Sequence, residues 1–445
     1  MNLPAPEPAQ GLQPRPFFGG LSVEASSMLP RFRAMKGNPG RSHAVRFSAA
    51  LMLAATAGGI APATWAQTLT ADQVLSSISL SVVAAPNPVR GADNRIHLAY
   101  ELIASNTSKL FITLDKVEAV DQDNHVLGTL AGTPLAAMVT LHGGSGTTIS
   151  PGGSAIIFMD TAFAAGASLP PAIAARLTIT RQSAGPDGKP APFPAEDAPL
   201  PATTSFTGPL TQIGSRAVVI DSPLRGPRWV AVNGCCDQLT SHRGAVMAVN
   251  GVQRVPERFA IDWVQLRPDD RMYTGDRSKL ESYAYYGVPV HAVADGTVVN
   301  LYDNAAEQVP GEPVRGITPE NIGGNMVVID IGGGNFAFFA HLKPGSLRVK
   351  LGDHVARGDV IALLGNTGNS DAPHLHFHVI DGPSPLDANG RPYVLTHFVG
   401  RGLLDDSSGE AMFEKGKPGV VRPSPMDGPH ADQLPLNDEV VDFQN

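Results

Sequence analysis

The alternation of apolar and polar residues along the chain predicts many short β-strands separated by turns. In the amino-terminal half, alternating runs lie at residues 78–84, 95–105 and 110–120, with turn sequences such as Pro86-Asn87-Pro88 between them. Regularly spaced alternating strands with turns of this kind are typical of antiparallel β-sandwiches. We therefore predict that residues 68–182 form an immunoglobulin-like β-sandwich.

The carboxy-terminal half shows the same strand pattern with sharper turns. Segments 293–299 and 352–361 carry turns typical of a small barrel-sandwich hybrid, a scaffold that also occurs in lipoyl and biotinyl carrier domains. A carrier domain needs a lysine at a hairpin tip for covalent modification, and the equivalent turn offers none. The pattern predicts an all-β chain in which a barrel-sandwich-hybrid domain at residues 216–400 follows the amino-terminal sandwich.

Two segments lack a clear period. Residues 183–215 are rich in proline and are predicted to be a linker, whereas residues 401–445 are rich in proline and acidic, which predicts a poorly packed tail. The composition agrees with turn-rich β structure, because the 445 residues include 47 glycines and 39 prolines. A formal net charge of −8 without a basic stripe argues against a nucleic-acid-binding protein.

The segment 35–66 has the layout of a secretory signal peptide. Its basic start is followed by an apolar run at 47–61 and by the small-residue site Thr64-Trp65-Ala66. That run is shorter than the roughly 20 residues that span a bilayer. We expect export to the periplasm or cell envelope, no membrane span in the mature chain, and a start of translation at Met35 or a disordered segment at 1–34.

The two cysteines, Cys235 and Cys236, are adjacent in the sequence. A disulfide normally joins Cα atoms about 4.4–6.8 Å apart, so neighbouring cysteines bridge only through a strained ring. Zinc sites built on cysteine usually have a C-x₂₋₄-C spacing, which is missing here. A redox-sensitive vicinal pair and simple packing both remain open, and simple packing is favoured.

A histidine-rich strand follows a turn-rich loop at residues 365–373. Strand alternation places His374, His376 and His378 on one face, so three imidazoles share a surface. Neutral imidazole is the most common metal ligand in proteins and a frequent general base. The spacing therefore predicts a metal or catalytic site on this strand.

These residues carry a family resemblance. The run 324–379, with PHLHF at 373–377 and the sequence FFAHL around His341, resembles the LytM/lysostaphin-type zinc metallopeptidases of the M23 peptidase family, and the likeness extends upstream to Arg258. The resemblance implies a LytM-like fold, bound Zn²⁺, and peptide bonds of peptidoglycan as the substrate. It also implies that His341 and His374 are catalytic and that Asp262 and His376 bind the metal.

The sequence departs from the family at one metal ligand. The family holds zinc partly through an H-x-x-x-D motif, and the matching run RFAID places Arg258 where the histidine should be. A guanidinium stays protonated and has no lone pair for a cation. We expect His242 to replace it, because a hairpin turning at Asn250-Gly251 would place His242 opposite Asp262.

Other assignments remain open at this stage. His378 points the same way as His376 and could ligate instead, His291 could line the cleft, and the site could hold no metal at all. The resemblance and the predicted signal peptide together imply an exported zinc metalloendopeptidase, and the alternative is a catalytically inactive LytM-like protein that binds the cell envelope or activates amidases. The oligomeric state cannot be deduced from the sequence.

Overall fold

The computed structural model describes residues 74–193 and 200–444, and within them the chain is almost entirely β. This confirms the all-β prediction. The predicted signal peptide at 35–66 and the segment 1–34 lie outside the described residues. Within the described ranges, no helix is both long and apolar enough to cross a membrane.

The first sheet contains the first eleven strands, and its strand order is β1-β3-β7-β4-β8-β10, with five further strands paired to members of this path. Its longest pairing joins β3 and β7 in register from Arg95 opposite Ala164 to Ser105 opposite Ser154. One cluster of buried aliphatic side chains, including Leu98, fills its interior. The elements are β1 (Ile78–Val82), β2 (Asn87–Arg90), β3 (Arg95–Asn106), β4 (Phe111–Asp121), β5 (Val126–Ala131), α1 (Gly132–Ala137), β6 (Val139–Ser145), β7 (Thr148–Ala164), β8 (Ala172–Ala184), β9 (Pro190–Pro192), β10 (Thr203–Thr207) and β11 (Thr211–Gln212).

Part of the predicted linker belongs to this sheet. Within residues 183–215, β10 and β11 pair with β8, and Phe206 packs against the sheet's apolar core. The sequence TTSFT alternates, so Phe206 reaches the core while Thr203, Ser205 and Thr207 face outward. The linker prediction was wrong for these strands. The immunoglobulin type of the sheet stays a prediction.

The second large sheet has the strand order β21-β18-β19-β20-β23-β16-β13-β29-β26-β27. Its central strands β16 and β23 are almost continuously buried, as expected of strands covered on both faces. The remaining elements are β12 (Val218–Ile220), β13 (Gly226–Val232), β14 (Met247–Val249), β15 (Val252–Arg254), β16 (Ile261–Gln265), a 3₁₀ turn (Leu280–Ser282), β17 (Pro289–His291), β18 (Gly296–Tyr302), β19 (Asn325–Asp330), β20 (Phe336–Leu342), β21 (His354–Val355), β22 (Val360–Leu363), β23 (Leu375–Ile380), β24 (Gly390–Arg391), β25 (Tyr393–Leu395), β26 (Phe398–Leu404), α2 (Asp406–Lys415), β27 (Val421–Arg422), β28 (Gly428–His430) and β29 (Glu439–Phe443).

The carboxy-terminal residues are part of this sheet, so the prediction of a poorly packed tail at 401–445 was wrong. Strand β29 lies between β13 and β26, and its residues Val440 and Val441 are fully buried. Helix α2 is capped by Asp405, whose side chain accepts a hydrogen bond from the amide of Ser407. The apolar pair Val440-Val441 is too short to show a period, but two neighbouring strands bury it.

The cysteine pair also differs from the expectation of simple packing. Cys235 and Cys236 are both buried and are joined by a disulfide. The peptide bond between them is cis, and their Cα atoms are 3.1 Å apart. The pair is therefore a vicinal disulfide.

Candidate active site

Three neighbouring strands of the second sheet position the core of the site. In the pairing of β16 with β23, Asp262 stands directly opposite His376, and in the pairing of β20 with β23, Ala340 stands opposite His376 from the other side. Opposed residues in antiparallel strands have Cα atoms about 4.5–5.5 Å apart, so their side chains meet on one face. The carboxylate and the imidazole are therefore brought together by strand register alone.

His341 reaches the same face by a local departure from strand geometry. Strict alternation would point its side chain away from the face that Ala340 shares with His376. The backbone of His341 is left-handed, with φ of 61°, and the pairing of β19 with β20 is irregular beside it. This conformation is unusual for a residue other than glycine. It leaves the His341 ring 4.6 Å from that of His374 and 5.7 Å from that of His376, measured between centroids.

Asp262 is the centre of the cluster and is 2% exposed. One carboxylate oxygen lies 2.9 Å from His376 Nδ1 and 3.3 Å from His374 Nε2. The other lies 3.2 Å from His242 Nε2 and accepts a 2.8 Å hydrogen bond from the amide of Asn233. One buried carboxylate thus contacts three imidazole rings.

The ring nitrogens that face away from Asp262 have partners of their own. His242 Nδ1 lies 3.0 Å from the carbonyl oxygen of Ala260, to which it can donate. His376 Nε2 lies 3.0 Å from His378 Nδ1, close enough for one ring to donate to the other. Metal-binding histidines almost always use their second nitrogen in this way, which fixes the ring and its tautomer.

The donor set of His242, Asp262 and His376 fits a zinc ion. Their ligand atoms all lie within 4.8 Å of one another, and all three residues are buried. Two atoms bound to one tetrahedral zinc at about 2.0–2.1 Å are roughly 3.4 Å apart, so small side-chain adjustments suffice. Two imidazoles and one carboxylate also match the ligands that catalytic zinc sites use, with one position left for water.

His341 and His374 stand beside this donor set, and each is held by a backbone carbonyl. His341 Nδ1 lies 2.7 Å from the carbonyl oxygen of Thr367, and His374 Nδ1 lies 2.8 Å from that of Ala372. With Nδ1 donating, each ring presents its Nε2 to the site, as an acceptor when the ring is neutral and as a donor when it is protonated. His341, His374 and His376 also have ring nitrogens within 4.8 Å of one another.

The charges of the cluster shift several pKa values. Burial opposes the charge on Asp262, but His242 and His374 outweigh it and hold the pKa of Asp262 well below its ordinary value. Burial opposes the charge on His242 as well, yet Asp262 raises the pKa of His242 to about 9. Burial, with the nearby charges of His374 and His376, pushes the pKa of His341 well below its ordinary value. The site therefore attracts positive charge around one carboxylate.

All five sequence-predicted site residues come together, but His242 arrives by a different route. The Asn250-Gly251 turn closes only the short hairpin of β14 and β15, and β16 pairs with β13 and β23 instead. His242 lies in a turn at residues 241–244 and reaches Asp262 from there. The hairpin register was wrong because Pro256 and the turn that follows it interrupt the chain before β16.

The other candidates have different surroundings. His378 lies behind His376 rather than against Asp262, and His291 Nδ1 is 2.9 Å from the carbonyl oxygen of Gly358, outside the cluster. Asn233, which the sequence analysis missed, donates to Asp262. An asparagine directly after the buried strand β13 could have signalled this role, because strand ends commonly carry site residues.

Comparisons with known proteins find a family match for part of the chain. Residues 280–388 match the profile described as Peptidase family M23. The glycyl-glycine endopeptidase ALE-1 of Staphylococcus capitis is 30% identical over 103 residues, which are 23% of this chain and 24% of ALE-1. The peptidoglycan DD-endopeptidase ShyA of Vibrio cholerae is 33% identical over 102 residues, which are 23% of this chain and 20% of ShyA. The chain thus spans about a quarter or less of the length of these curated relatives.

Among solved structures, the catalytic domain of lysostaphin from Staphylococcus simulans is 23% identical. The match covers 32% of this chain and 80% of that domain, with a TM-score of 0.20, too low to support a structural argument. The profile match includes His341, His374 and His376, whereas His242 and Asp262 precede it. The contacts of these last two residues therefore rest on the structure of this chain.

Proposed function

We propose that this chain, which carries a domain of the M23 peptidase family, is an exported zinc metalloendopeptidase that hydrolyses peptide bonds in peptidoglycan. The observation that carries the proposal is the buried convergence of His242, Asp262 and His376, with His341 and His374 beside them. The peptidoglycan endopeptidase ShyA among the relatives supports the substrate class. The signal-peptide pattern at 35–66 supports export.

His242, Asp262 and His376 would hold the metal. Zinc bound there would polarise the scissile carbonyl group and lower the pKa of a water molecule to about 7, which supplies a nucleophile near neutral pH. Asn233 keeps the Asp262 carboxylate oriented, and the Ala260 carbonyl oxygen keeps the His242 ring oriented. These partners fix the donor atoms before the cation arrives.

His341 and His374 would handle the protons and the developing charge. Their Nδ1 atoms are held by the carbonyl oxygens of Thr367 and Ala372, so each ring presents its Nε2 for the reaction. One ring, neutral with an unprotonated Nε2, would take the proton of the attacking water as general base, and the other, protonated on both nitrogens, would donate a hydrogen bond from Nε2 to the oxyanion of the tetrahedral intermediate. Both roles require a fixed ring, which burial and the carbonyl contacts provide.

The test compares zinc content and hydrolysis in two histidine variants. In His242→Ala, bound zinc and the release of peptides from purified peptidoglycan should both be lost. The control is His354→Ala, an exposed histidine that contacts Thr297 and should behave like the unaltered chain. Elemental analysis and mass spectrometry of the released peptides give the two readouts.

Two results would contradict the proposal. Zinc retained in His242→Ala would remove His242 from the ligand set. An unaltered chain that binds no zinc and releases no peptides would favour the inactive envelope-binding alternative.

A further inference from the structure

A single carboxylate of the first sheet contacts two arginines that flank the candidate metal site. Glu101 lies in the middle of β3 and is completely buried. Arg258 and Arg243, both at most 2% exposed, lie in turns that precede strands of the second sheet, and their side chains face Glu101. These contacts join the two large sheets.

The guanidinium group of Arg258 is held by residues of the first sheet and of the loop after β1. Its Nε lies 3.1 and 3.0 Å from the two oxygens of Glu101, and its Nη2 also donates to Glu101. Its remaining hydrogen bonds reach the carbonyl oxygens of Ala84 and Ala85 at 3.3 and 3.1 Å. This forked contact fixes the turn from Pro256 to Phe259, directly before the strand that carries Asp262.

Arg243 fixes the second segment of the site. It follows His242 in the turn at 241–244, and its Nη2 donates to the carbonyl oxygen of Met159 in β7 at 3.1 Å. Its Nε lies 3.9 Å from Glu101, and its Nη1 donates to the carbonyl oxygen of Cys236. The turn that carries His242 is therefore tied to the first sheet as well.

The two turns also contact each other, since His242 Nδ1 lies 3.0 Å from the carbonyl oxygen of Ala260. Without the Glu101 carboxylate, Arg243 and Arg258 would be two like charges buried side by side. Breaking a buried ion pair by removing one partner leaves an uncompensated charge, which is strongly unfavourable. The turns could then relieve the repulsion only by moving, and His242 would move with them.

We propose that Glu101 is a positioning residue for the metal site: by holding Arg258 and Arg243, it fixes the turns that present His242 and Asp262, so zinc binding by the second sheet depends on the first. The inference rests on the proposed zinc site. The amino-terminal sheet would then help to position the metal ligands. Arg258, at the position where the family has a metal-binding histidine, would hold the turn before Asp262 instead of binding the metal.

The test measures zinc affinity by chelator competition in the full chain. In Glu101→Gln, affinity should fall about tenfold, the low end of the effect of losing a direct partner of a metal ligand, because Glu101 acts on the ligands through Arg243 and Arg258. The visible spectrum of Co²⁺ in the site should change with it, because the ligand geometry changes. The matched control is Glu118→Gln, which removes another buried carboxylate of the same sheet, one that accepts a 2.9 Å hydrogen bond from Arg176. It should leave affinity and spectrum unchanged.

A second variant keeps the test decisive if Glu101→Gln does not fold. Glu101→Leu combined with Arg243→Met and Arg258→Met replaces all three buried charges with apolar side chains, an exchange that proteins often tolerate. It should fold and still bind zinc at least about tenfold more weakly. Affinity within about twofold of the unaltered chain in a folded variant would overturn the inference while leaving the proposed function intact. An unaltered chain without zinc would overturn both.

Discussion

Glu101 in the first sheet and Asp262 in the second are both buried carboxylates on apolar strands, yet their partners differ. Glu101 is met by the guanidinium groups of Arg258 and Arg243, and Asp262 by imidazoles and the amide of Asn233. A guanidinium never gives up its proton in a protein, so the Glu101 cluster can only be an ion pair. An imidazole can lose its proton and offer a lone pair, so the Asp262 cluster can accept a cation.

The difference explains how one position can change roles. Arg258 occupies the place of a metal-binding histidine in the family resemblance, but its side chain belongs to the Glu101 cluster. On the proposed assignment, His242 fills the vacated ligand position from a separate turn. The kind of partner, rather than burial or charge alone, separates a carboxylate that can only form ion pairs from one whose surroundings could hold a metal.

The largest effect is expected where the Asp262 cluster meets substrate. Replacing His374 with alanine removes a ring that the proposal assigns to proton transfer or oxyanion binding, so turnover should fall about 10²–10⁴-fold. Zinc content should stay near that of the unaltered chain, because His242, Asp262 and His376 remain. Steady-state kinetics on peptidoglycan fragments and elemental analysis check both statements.

The control for this variant is His291→Ala, whose ring contacts the Gly358 carbonyl oxygen outside the cluster and should leave turnover unchanged. Loss of zinc together with activity in His374→Ala would reassign His374 as a ligand.

The next effect tests the Glu101 cluster. Arg258→His restores the family's motif in sequence but leaves Glu101 buried without its forked partner. The free energy of unfolding should fall by about 3–5 kcal/mol, the usual cost of breaking a buried pair. Zinc affinity should not rise, because the side chain at this position faces the first sheet. Chemical denaturation and chelator competition give the measurements.

Arg254→His is the matched control, since Arg254 forms only a partly exposed pair with Asp387 at 2.8 Å. Its loss should cost less than about 1 kcal/mol. Tighter zinc binding in Arg258→His would show that the side chain can still turn toward Asp262.

Much of the histidine-bearing strand β23 could be predicted because it depends on local pattern. Alternation alone places His374, His376 and His378 on one face, and the structure has that arrangement. His341 shares the face only through a left-handed backbone and an irregular strand pairing, and its sequence carries neither glycine nor asparagine to signal them. The family resemblance, rather than strand periodicity, identified this residue.

Contacts between distant segments were harder to predict. Glu101 is a lone carboxylate in the apolar run LAYELIAS, which indicates that some cation must meet it but not which one. Strand β29 pairs with a strand about two hundred residues earlier, so no local pattern could reveal that its short apolar core would be buried. The contact of His242 with Asp262 was predicted through a hairpin that the chain does not form.

A third buried carboxylate sharpens the comparison because its one hydrogen bond comes from the backbone. Glu439 accepts this bond from the amide of Leu436, and one imidazole, that of His430, lies 3.9 Å from its other oxygen. Burial, with the negative charges of Asp427 and Asp93, raises the pKa of Glu439 to about 8. Between pH 4.5 and about 8, the folded chain keeps a proton on Glu439 that the unfolded chain has released. The contribution of Glu439 to the free energy of unfolding is therefore fully present below pH 4.5 and is lost as the pH rises through 8.

The Glu439→Gln variant has no carboxyl group to ionise at this position, so it should lose this pH dependence of the free energy of unfolding. The dependence amounts to about 1.4 kcal/mol per pH unit, or about 2.7 kcal/mol between pH 5.5 and 7.5. Denaturant unfolding across that range measures it. Burial also raises the pKa of Asp438 to about 8, so Asp438 makes the free energy of unfolding fall with rising pH in the variant and the unaltered chain alike. Glu410→Gln on the exposed face of α2 is the control and should keep the full slope. Equal slopes in Glu439→Gln and the unaltered chain would show that Glu439 is ionised in the folded state.

The smallest effect concerns His378, which contacts the His376 ring on the side away from Asp262. His378 Nδ1 lies 3.0 Å from His376 Nε2. In the zinc-bound site, His376 would donate a hydrogen bond from Nε2 to His378 Nδ1. His378→Leu removes the acceptor at similar volume and should weaken zinc binding about 10–100-fold, whereas His378→Gln retains an acceptor oxygen and should stay close to the unaltered chain. Chelator competition measures both. Equal affinities in the two variants would show that His376 needs no acceptor there, and a complete loss of zinc in both would make His378 itself a ligand.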